Sequence, residues 1–545
     1  MEFNYSYKGA TAVENHPYRT NMEFVPDASR EPTYFSGELD ARISFREAIS
    51  ALHDVVVSDM RFKPKDKTAY KEWAEKQDLV DMAQIASQRS GNAARIMELH
   101  KQLNELRQRS YRRRAPFYEA QRKYFDYLYR NDLETWYVLD PVITVHPDEV
   151  FFECFSQDES SYGRLSTSYE VFKNIGSFAC GTTNIDYSAA LYDEFQKIRS
   201  YKTTRFDIDP SGFEVRTTAE DTFREVKIDL PDSWVRGFLQ VSSAMSLPAT
   251  TFELHPMDVH DMCFILRRRR EKLGPRSMRF HLEAGKPVRI VFDPWGVELL
   301  CKRSIYAGPK QEIRIWGRRR IHILERLIPI AKSFKVHLLG QGMPSFWVAD
   351  LGMMYFTLGL SGWSANDWSA SGNFDLLAPR TDVDDASKLK VFQALKKDWF
   401  STADKLAQAT NLPRAQVLSA LSSWTQAGRA IYDLPKQVYR ARELSREPLP
   451  MDALRFANER EASAMRFIDG KAVTVRATTD GAGALSLAGS VKDGRHDYRP
   501  SLGLDGDGRI VRAECTCNFF QQNKLHKGPC EHMLAIRLMH QRQVH

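Results

Sequence analysis

The chain of 545 residues is long enough for several hydrophobic cores, and its length predicts about three or four domains. Hydrophobic residues make up 43% of it and aromatic residues 11%, which is sufficient to fill these cores. Lys and Arg number 77 against 70 Asp and Glu, and a net charge of +7 does not by itself indicate a nucleic-acid-binding protein.

The most apolar stretch, residues 346–363, is interrupted by Asp350. Because a membrane-spanning helix needs about twenty apolar residues, this stretch is predicted to be buried core, and no membrane association is expected. Three of the seven cysteines fall within sixteen residues, the others are far apart, and the chain opens without an apolar leader. This pattern is typical of a reducing compartment, so a cytoplasmic location is expected.

The first part of the chain, residues 1–139, is predicted to be an irregular arm followed by a helical hairpin region. Residues 1–40 show no sustained period, and helical patterning begins near Asp40. Within residues 95–107, apolar side chains recur at spacings of 3, 4 and 3 and form a one-sided seam: Ile96, Leu99, Leu103 and Leu106. This seam is too short for a free coiled coil, which favours a hairpin packed against the protein.

Residues 140–379 show a mixed pattern that predicts an α/β body. Strands are predicted at 278–283, 288–293, 297–302, 312–316 and 334–339, and helices at about 231–245, 258–272 and 318–332. Four cysteines in apolar contexts are expected to be small buried hydrophobes: Cys154, Cys180, Cys263 and Cys301. No catalytic motif is recognised in this body.

Two basic runs lie in helical patterns of the body, Arg267–Arg270 and Arg318–Arg320. The second run opens its predicted helix, where the helix dipole disfavours cations. An Asp or Glu partner within the chain is the preferred interpretation, and an anionic ligand is the alternative.

Residues 377–385 indicate a linker, and a compact helical pattern follows. The predicted elements are a helix at 390–397, a second at 403–410 capped by Ser401 or Thr402, a third from Pro413 to Gly428, and a hairpin at 430–433 and 437–441. This order resembles a winged helix-turn-helix over about residues 388–446. The signature is loose, since no invariant residue defines it.

This winged-helix-like module is basic. Residues 388–446 contain 11 Lys and Arg against 4 Asp and Glu, a surplus equal to the +7 of the whole chain. Such a surplus is typical of a protein that binds a phosphate backbone, while a protein-docking winged helix is the equally weighted alternative. The third helix would place Arg414, Gln416 and Ser419 near a groove. Phosphate contacts from the wing are predicted for Arg429, Lys436 and Arg440.

The last seventy-odd residues carry the most specific motif. After a bridging stretch at 445–469, strands are predicted at 472–477, 484–489 and 498–504, and the turn 505–508 lacks the Glu that a calcium loop would place at Thr516. Then come two pairs of soft ligands, Cys515 with Cys517 and Cys530 with His532. Residues i and i+2 of an extended segment point the same way, so each pair can offer both donors to one metal.

A Cys₃His set completes the tetrahedral shell of Zn²⁺ and leaves no open position, so one structural zinc is predicted at these four residues. His526, in the insert between the pairs, is expected at the surface. The C-x-C…C-x-H pattern on a β-β-α unit resembles the SWIM zinc finger and covers roughly the final sixty to eighty residues. A finger domain at 471–545 therefore completes an α+β multidomain architecture.

No phosphate-binding loop is present, since Gly340-Gln-Gly342 lacks the lysine that would follow it, and neither a nucleophile elbow nor an H-E-x-x-H motif occurs. We therefore expect no enzyme activity, an active site in the 140–379 body being the weakest alternative.

Resemblance to bacterial SWIM-finger proteins implies binding of DNA, RNA or protein. It also implies a companion role beside MoxR-type AAA+ ATPases and von Willebrand A proteins. The leading hypothesis is a zinc-binding interaction protein that binds nucleic acid or a protein partner through its C-terminal third, and the alternative is an adaptor subunit of such an ATPase assembly.

Overall fold

The computed structural model separates into two compact units, residues 60–138 and the remainder of the chain. Of the smaller unit, residues 101–103 and 105 are described and are helical, so most of the predicted apolar seam lies outside the described residues. The described residues are 12–16, 19–24, 33–58, 101–103, 105, 141–184, 192, 195–201, 203–208, 232–269, 276–362, 367–368, 373–379, 383–444, 459–479 and 485–544.

The larger unit begins with a strand-rich body. Its elements are β1 (Ala12–His16), β2 (Arg19–Phe24), β3 (Phe35–Leu39), α1 (Arg42–Val56), β4 (Val142–Val145), β5 (Glu149–Phe155), β6 (Ser161–Ser168), β7 (Phe172–Lys173), β8 (Gly181–Asn184), β9 (Thr203–Ile208), α2 (Asp232–Met245), β10 (Thr250–Leu254), α3 (Pro256–Arg268), β11 (Met278–Leu282), β12 (Pro287–Phe292), β13 (Val297–Ile305), β14 (Gln311–Ile315), β15 (Ser333–Leu338), β16 (Ser345–Asp350) and β17 (Met354–Leu360). Short 3₁₀ helices cover Tyr169–Val171, Arg318–Leu327 and Phe374–Leu377.

Two smaller modules follow the body along the chain. Their elements are α4 (Asp385–Asp398), β18 (Phe400–Ser401), α5 (Ala403–Thr410), α6 (Arg414–Gln426), β19 (Ala430–Asp433), β20 (Val438–Ala441), α7 (Glu459–Asp469), β21 (Val473–Thr479), β22 (Leu485–Asp493), β23 (His496–Tyr498), β24 (Ser501–Leu504), β25 (Ile510–Glu514), α8 (Asn518–Asn523) and α9 (Glu531–Val544).

The centre of the body is an antiparallel sheet in the order β10-β15-β16-β17-β6-β5-β4-β8. Every residue of β5 is buried. Its Cys154 Sγ lies 3.6 Å from the carbonyl of Leu52 in α1, while the adjacent Phe155 packs on Phe238 of α2 with ring centroids 4.8 Å apart. Because successive strand residues point to opposite faces, α1 and α2 cover the two faces of this sheet.

Other strands form two flanking sheets, β13-β12-β11-β14 and β1-β2-β9-β3-β7, and β2 pairs with β9 in parallel. The five strands predicted between residues 278 and 339 are confirmed as β11–β15, and the apolar stretch 346–363 contains β16 and β17. Within the described residues, no helix is long and apolar enough to cross a membrane. The predicted burial is confirmed for Cys154, Cys263 and Cys301, whereas Cys180 is half-buried.

The basic run at residue 318 is buried inside the body. It opens a 3₁₀ helix that ends at Leu327, shorter than the predicted helix. Arg318 Nη1 donates to the carbonyl of Ser277 at 2.7 Å, and Arg320 Nη1 donates to the carbonyl of Ser160 at 3.1 Å. The two guanidinium groups thus have acceptors within the chain, and their position requires no external anion.

Residues 383–444 form a module with a hydrophobic core of its own, which includes Val391, Leu395 and Leu421. Helices α4, α5 and α6 pack beside a three-stranded sheet in the order β18-β20-β19, and the predicted elements of this stretch are confirmed. Thr402 is the N-cap of α5, because its hydroxyl accepts a hydrogen bond from the backbone N–H of Lys405 at 3.2 Å.

The C-terminal module contains a sheet of its own in the order β21-β22-β24-β25, with β23 paired to β22. One face of this sheet is covered by α9, and Val491, Leu502 and Ile536 belong to the continuous core that also fills the body. The predicted bridge at 445–469 contains α7, which packs against α9 and is tied to it by an ion pair of 3.2 Å between Arg542 and Asp469.

The predicted linker at 377–385 begins as a buried part of the body, because Leu377 and Ala378 are each 1% exposed. The reason is Arg537 of α9, which is 2% exposed and inserts its guanidinium into this segment. Arg537 donates to the carbonyls of Leu376 at 3.0 Å and Ala378 at 2.8 Å. The C-terminal module is therefore clamped onto the body through the start of the supposed linker.

Candidate metal centre and predicted nucleic-acid residues

Four side chains of the C-terminal module meet at one point. Cys515 follows the last residue of β25, and Cys517 is the N-cap of α8, with its Sγ accepting from the backbone N–H of Phe520 at 3.4 Å. Cys530 directly precedes α9, and His532 is the second residue of that helix. The first pair lies in non-helical backbone as predicted, whereas the second pair is presented by the start of a helix instead of an extended segment.

The ligand atoms of Cys515, Cys517, Cys530 and His532 all lie within 4.8 Å of one another. Each residue is at most 3% exposed. Both ring nitrogens of His532 are buried without a hydrogen-bond partner in the described part of the chain. A buried imidazole with no partner is costly unless a metal takes one nitrogen, so the residues present fit a metal ion.

The three thiols affect one another's ionisation, and a bound cation would stabilise their thiolate forms. Hydrogen bonds from Cys515 and Cys530 lower the pKa of the Cys517 thiol, whereas the corresponding bonds to Cys515 and Cys517 raise the pKa of Cys530. Three neighbouring thiols cannot all ionise alone, because like charges repel. A divalent cation removes this conflict, since metal ligation requires the thiolate form.

A shell of other side chains holds the four ligands. The ring of Phe467 stacks on His532 with centroids 5.5 Å apart, and Tyr498 covers it at 4.2 Å. Arg460 of α7 donates to the carbonyls of Lys527 and Pro529 at 2.8 and 2.9 Å. These contacts orient the ligands, as outer-shell groups do in structural metal sites. Helix α7 therefore belongs to the C-terminal module, although the sequence pattern predicts a bridging segment at its position.

His526 does not join the cluster. It is 7% exposed, so the expectation of a surface position is wrong. Burial lowers its pKa to about 4, and the charge of Lys527 acts in the same direction. His526 is thus a neutral core histidine of the insert.

A buried Cys₃His set on a sheet and two helix ends is the ligand set that zinc fingers use. Residues 499–540 match the family model of the SWIM zinc finger. Residues 499–540 of the C-terminal module therefore form a SWIM zinc finger, as the motif predicts.

The residues predicted to reach a nucleic-acid groove lie on α6, and only part of them is accessible. Ser419 is 6% exposed because α6 is buried from Val417 to Leu421. Arg414 is more exposed, but it forms an ion pair with Asp404 and another with Asp507 of the finger at 2.9 Å. Gln416 is half-buried. Far along α6, Gln426 donates to Ser243 of α2 at 2.7 Å, so this helix lies against the body.

Two of the three predicted wing contacts, Arg440 and Lys436, pair with carboxylates of the body. Arg440 is 0% exposed and binds Asp148 of the body at 2.7 Å and Asp433 at 2.6 Å. Its burial means that it cannot reach a phosphate in this conformation, which corrects the prediction for Arg440. Lys436 pairs with Asp148 at 2.9 Å and with Glu149 at 2.6 Å. Arg429 is half-buried, with its guanidinium 6.0 Å from the ring of Phe392.

These contacts reveal a buried charge cluster that the sequence did not indicate. Arg164 bridges Glu149 at 3.0 Å and Asp433 at 3.2 Å, and all three side chains are 1% exposed. Nearby, Arg442 pairs with Glu153 at 2.8 Å, and both are fully buried. One sequence feature could have indicated this cluster: the otherwise apolar strand β5 contains two carboxylates, Glu149 and Glu153, which need cationic partners when buried.

The cluster fixes the protonation of its members. Burial raises the pKa of Asp148, but hydrogen bonds from Arg440 and Lys436 outweigh this and hold it below the usual range. Burial, followed by the charge of Arg440, lowers the pKa of His146 to about 3. The neutral ring lies with Nε2 at 2.7 Å from the carbonyl of Ala441 and Nδ1 at 3.3 Å from Arg440 Nη1. Nε2 therefore carries the proton, and Nδ1 accepts from Arg440.

Three solved structures show a weak likeness to part of this chain. Proliferating cellular nuclear antigen from Entamoeba histolytica is 11% identical, with a TM-score of 0.28, over 41% of this chain and 88% of that one. The A. fulgidus PCNA bound to the C-terminal region of FEN-1 is 11% identical over 41% and 88%, with a TM-score of 0.27. The PCNA2–PCNA3 complex from Sulfolobus tokodaii is 9% identical over 41% and 90%, with a TM-score of 0.29. At such scores these likenesses support no conclusion. No curated protein matches the chain.

Proposed function

We propose that this chain is a zinc-binding, non-catalytic interaction protein that binds nucleic acid or a protein partner through its C-terminal third. The observation that carries this proposal is the buried Cys515, Cys517, Cys530 and His532 cluster. Its four protein ligands would complete the tetrahedral shell of one Zn²⁺ and leave no position for an activated water. The ion would supply folding energy to the finger, and the finger would supply the binding surface.

The module at 383–444 fits a winged helix in element order and in its strand order β18-β20-β19. We infer that it serves here as a docking module within the chain. Its wing is held to the body by Arg440 and Lys436, and its third helix is buried between Val417 and Leu421. Winged helices that read DNA use this helix in the major groove, so a groove contact would require the module to leave the body.

The proposal is tested on the full-length, zinc-loaded protein with fluorescein-labelled DNA and RNA oligonucleotides, single-stranded and duplex, at 25 mM salt. Binding that weakens as salt is raised, together with one zinc per chain by elemental analysis, is the expected result. Binding that is unchanged after chelation and complete loss of zinc would contradict a role for the finger. Absence of binding to all four oligonucleotides would favour the second candidate.

That second candidate is a protein adaptor, as the family resemblance implies for companions of AAA+ ATPases. One feature of the body favours it. Phe264 of α3 is 47% exposed, the ring of His260 stacks on it at 6.5 Å, and the Arg268 guanidinium lies 5.4 Å from its centroid. Exposed aromatic and arginine side chains are enriched at protein interfaces.

The adaptor function is tested by purifying the chain with each candidate ATPase. We expect the substitution Phe264→Ala to weaken a complex that uses α3. Phe178→Ala provides a matched control, because Phe178 is also exposed, at 38%. Equal affinity of both variants and the wild type would remove α3 from the interface.

A further inference from the structure

The finger sheet has one face that is not covered by the helices of its module. In β21 and β22 the residues Val473, Leu487 and Val491 are buried, and their neighbours in the strand alternation are exposed. Thr474 and Ser490 share the outward face, since their hydroxyls lie 3.0 Å apart across the two strands. This face runs across all four strands of the sheet β21-β22-β24-β25.

Small residues dominate this outer face. Thr478, Ser486 and Gly503 fall in one row of the register, and Arg512 of β25 ends that row. A Cβ added at Gly503 would lie 3.2 Å from the Cβ of Arg512, which places both positions on the same side. A partner can therefore approach the backbone closely between the longer basic side chains.

The longer side chains on and beside this face are mostly basic. Exposed Arg476, Lys492 and Arg512 lie on the face with Asp497 and Glu514. The β22–β23 turn and the end of β23 add Arg495, Arg499 and Asp493.

None of these five basic side chains forms an ion pair with a carboxylate in the described parts of the chain. The basic groups of the preceding module behave differently, since Arg440, Arg414 and Lys436 are all held by carboxylates. Cations that are exposed, close together and without a carboxylate are available to an external polyanion.

We propose that the outer face of the finger sheet is a binding surface for the phosphodiester backbone of nucleic acid. This proposal rests on the proposed function and names the surface that would perform it. Arg476, Lys492 and Arg512 contact phosphates, and the hydroxyls of Thr474 and Ser490 donate to phosphate oxygens between them. Among the described residues of the face, none in its centre is an exposed aromatic platform for bases, so recognition is of the backbone and is insensitive to sequence.

The experiment compares two triple charge reversals in the full-length, zinc-loaded protein. The first is Arg476→Glu, Lys492→Glu and Arg512→Glu. The control is Lys390→Glu, Lys397→Glu and Lys405→Glu, which makes the same charge change at exposed lysines of the preceding module. Each protein is titrated with labelled DNA and RNA oligonucleotides of two unrelated sequences, from 25 to 200 mM salt.

Loss of three phosphate contacts should lower the slope of log K against log salt by about 2.7 and reduce affinity on the order of a hundredfold at 0.1 M salt. The control should change affinity by less than about threefold through its long-range charge alone. Comparable results for DNA and RNA support a backbone site, whereas binding of only one shows that the sugar is also read.

Equal loss in the two triple variants would overturn the proposal, because the effect would then be one of net charge. Loss in the control alone would place the site on the winged-helix-like module and leave the proposed function intact. If the wild type binds no oligonucleotide, this surface proposal fails together with the nucleic-acid part of the proposed function, and the protein adaptor is favoured. Retained zinc, measured in every variant, ensures that the finger is folded.

Discussion

The winged-helix-like module and the finger sheet carry the same kinds of basic residue with opposite surroundings. In the module, Arg440 is 0% exposed and is held by Asp148 and Asp433 at 2.7 and 2.6 Å. On the finger sheet, Arg476 and Arg512 are exposed, and neither has a carboxylate partner in the described residues. The first set joins two parts of the chain, and the second set remains accessible to a ligand.

This contrast shows that a surplus of basic residues in a segment does not by itself indicate that the segment binds an anionic ligand. A buried guanidinium needs an acid or a carbonyl beside it, because desolvation of an unpaired charge is very costly. Part of the surplus of residues 388–446 is therefore matched by acids of the body, among them Asp148, just before β5, and Glu149, its first residue. An exposed arginine carries no such requirement, so its presence without a partner is more informative about ligands.

Loss of zinc should have the largest effect and should separate the two regions. Structural zinc contributes about 10 to 16 kcal/mol in small fingers, so the double substitution Cys515→Ala and Cys530→Ala should unfold the finger. Hydrogen exchange is expected to rise over residues 485–544. Residues 385–444 should stay protected because they have a packed core of their own, and residues 141–184 should stay protected because most of the core shared with the finger lies in the body.

The matched control for the metal site is Cys301→Ala, since Cys301 is buried far from the cluster in sequence and is not one of the four ligands. It should keep one zinc per chain by elemental analysis. Uniform loss of protection along the chain in the double variant would show that finger and body form one cooperative unit, and it would contradict the separation drawn above.

Identical substitutions at two arginines test the contrast directly. Arg440→Met removes the buried guanidinium that Asp148 and Asp433 share and leaves them only Lys436 and Arg164, which should cost about 3 to 5 kcal/mol. Arg476→Met removes an exposed side chain and should change stability by about 0.5 kcal/mol or less. Urea unfolding monitored at the module measures both. Similar costs for the two variants would mean that Arg440 is more hydrated than its surroundings indicate.

The sequence was sufficient where function depends on neighbours along the chain. Cys515, Cys517, Cys530 and His532 lie within eighteen residues, and their spacing alone encodes the ligand geometry. The helices and hairpin of residues 385–441 were likewise predictable, since caps such as Thr402 and apolar periodicity act locally.

The sequence was insufficient where distant segments meet. Arg440 and Asp148 are 292 residues apart, and no local pattern indicates that they pair. The start of the predicted linker at 377–385 is wrong for the same reason, because Leu377 and Ala378 are buried beside Arg537, more than 150 residues further on, while residues 380–382 lie outside the described residues. The sequence pattern indicates local secondary-structure propensity and charge. Whether a given arginine is buried depends on the distant segment that packs against it, which the local pattern does not contain.

The pH dependence of stability should distinguish the two regions through their histidines. Burial and Arg440 lower the pKa of His146 to about 3 from an unfolded value of 6.5. The unfolded chain therefore binds more protons below pH 6.5, and stability is lost as pH falls from about 6.5 toward 3, by about 1.4 kcal/mol per pH unit.

His146→Gln should reduce this slope between pH 6.5 and 5, where most carboxylates remain ionised, by the share of His146 alone, because burial also lowers the pKa values of His526 and His337 to about 4. His496→Gln provides the control, because His496 is exposed on β23. Glu149 acts in the opposite direction, since burial raises its pKa, and it is common to both proteins. An unchanged slope in His146→Gln would show that the imidazole is charged in the folded protein.

The smallest expected effect concerns the contact that joins the two regions. Arg414 of α6 pairs with Asp507 of the finger at 2.9 Å, and their side chains are 42% and 18% exposed. Solvent screens such a pair, so a double-mutant cycle with Arg414→Gln and Asp507→Asn should give a coupling of about 0.2 to 1 kcal/mol that falls as salt is raised. Asp404 also accepts from Arg414, so the same cycle with Asp404→Asn separates the bond within the module from the bond between regions.

A coupling above about 2 kcal/mol for Asp507 would mean that the finger and the module are locked together by this pair. In that case, loss of zinc should also expose α6 to hydrogen exchange, which the contrast between the two regions does not predict.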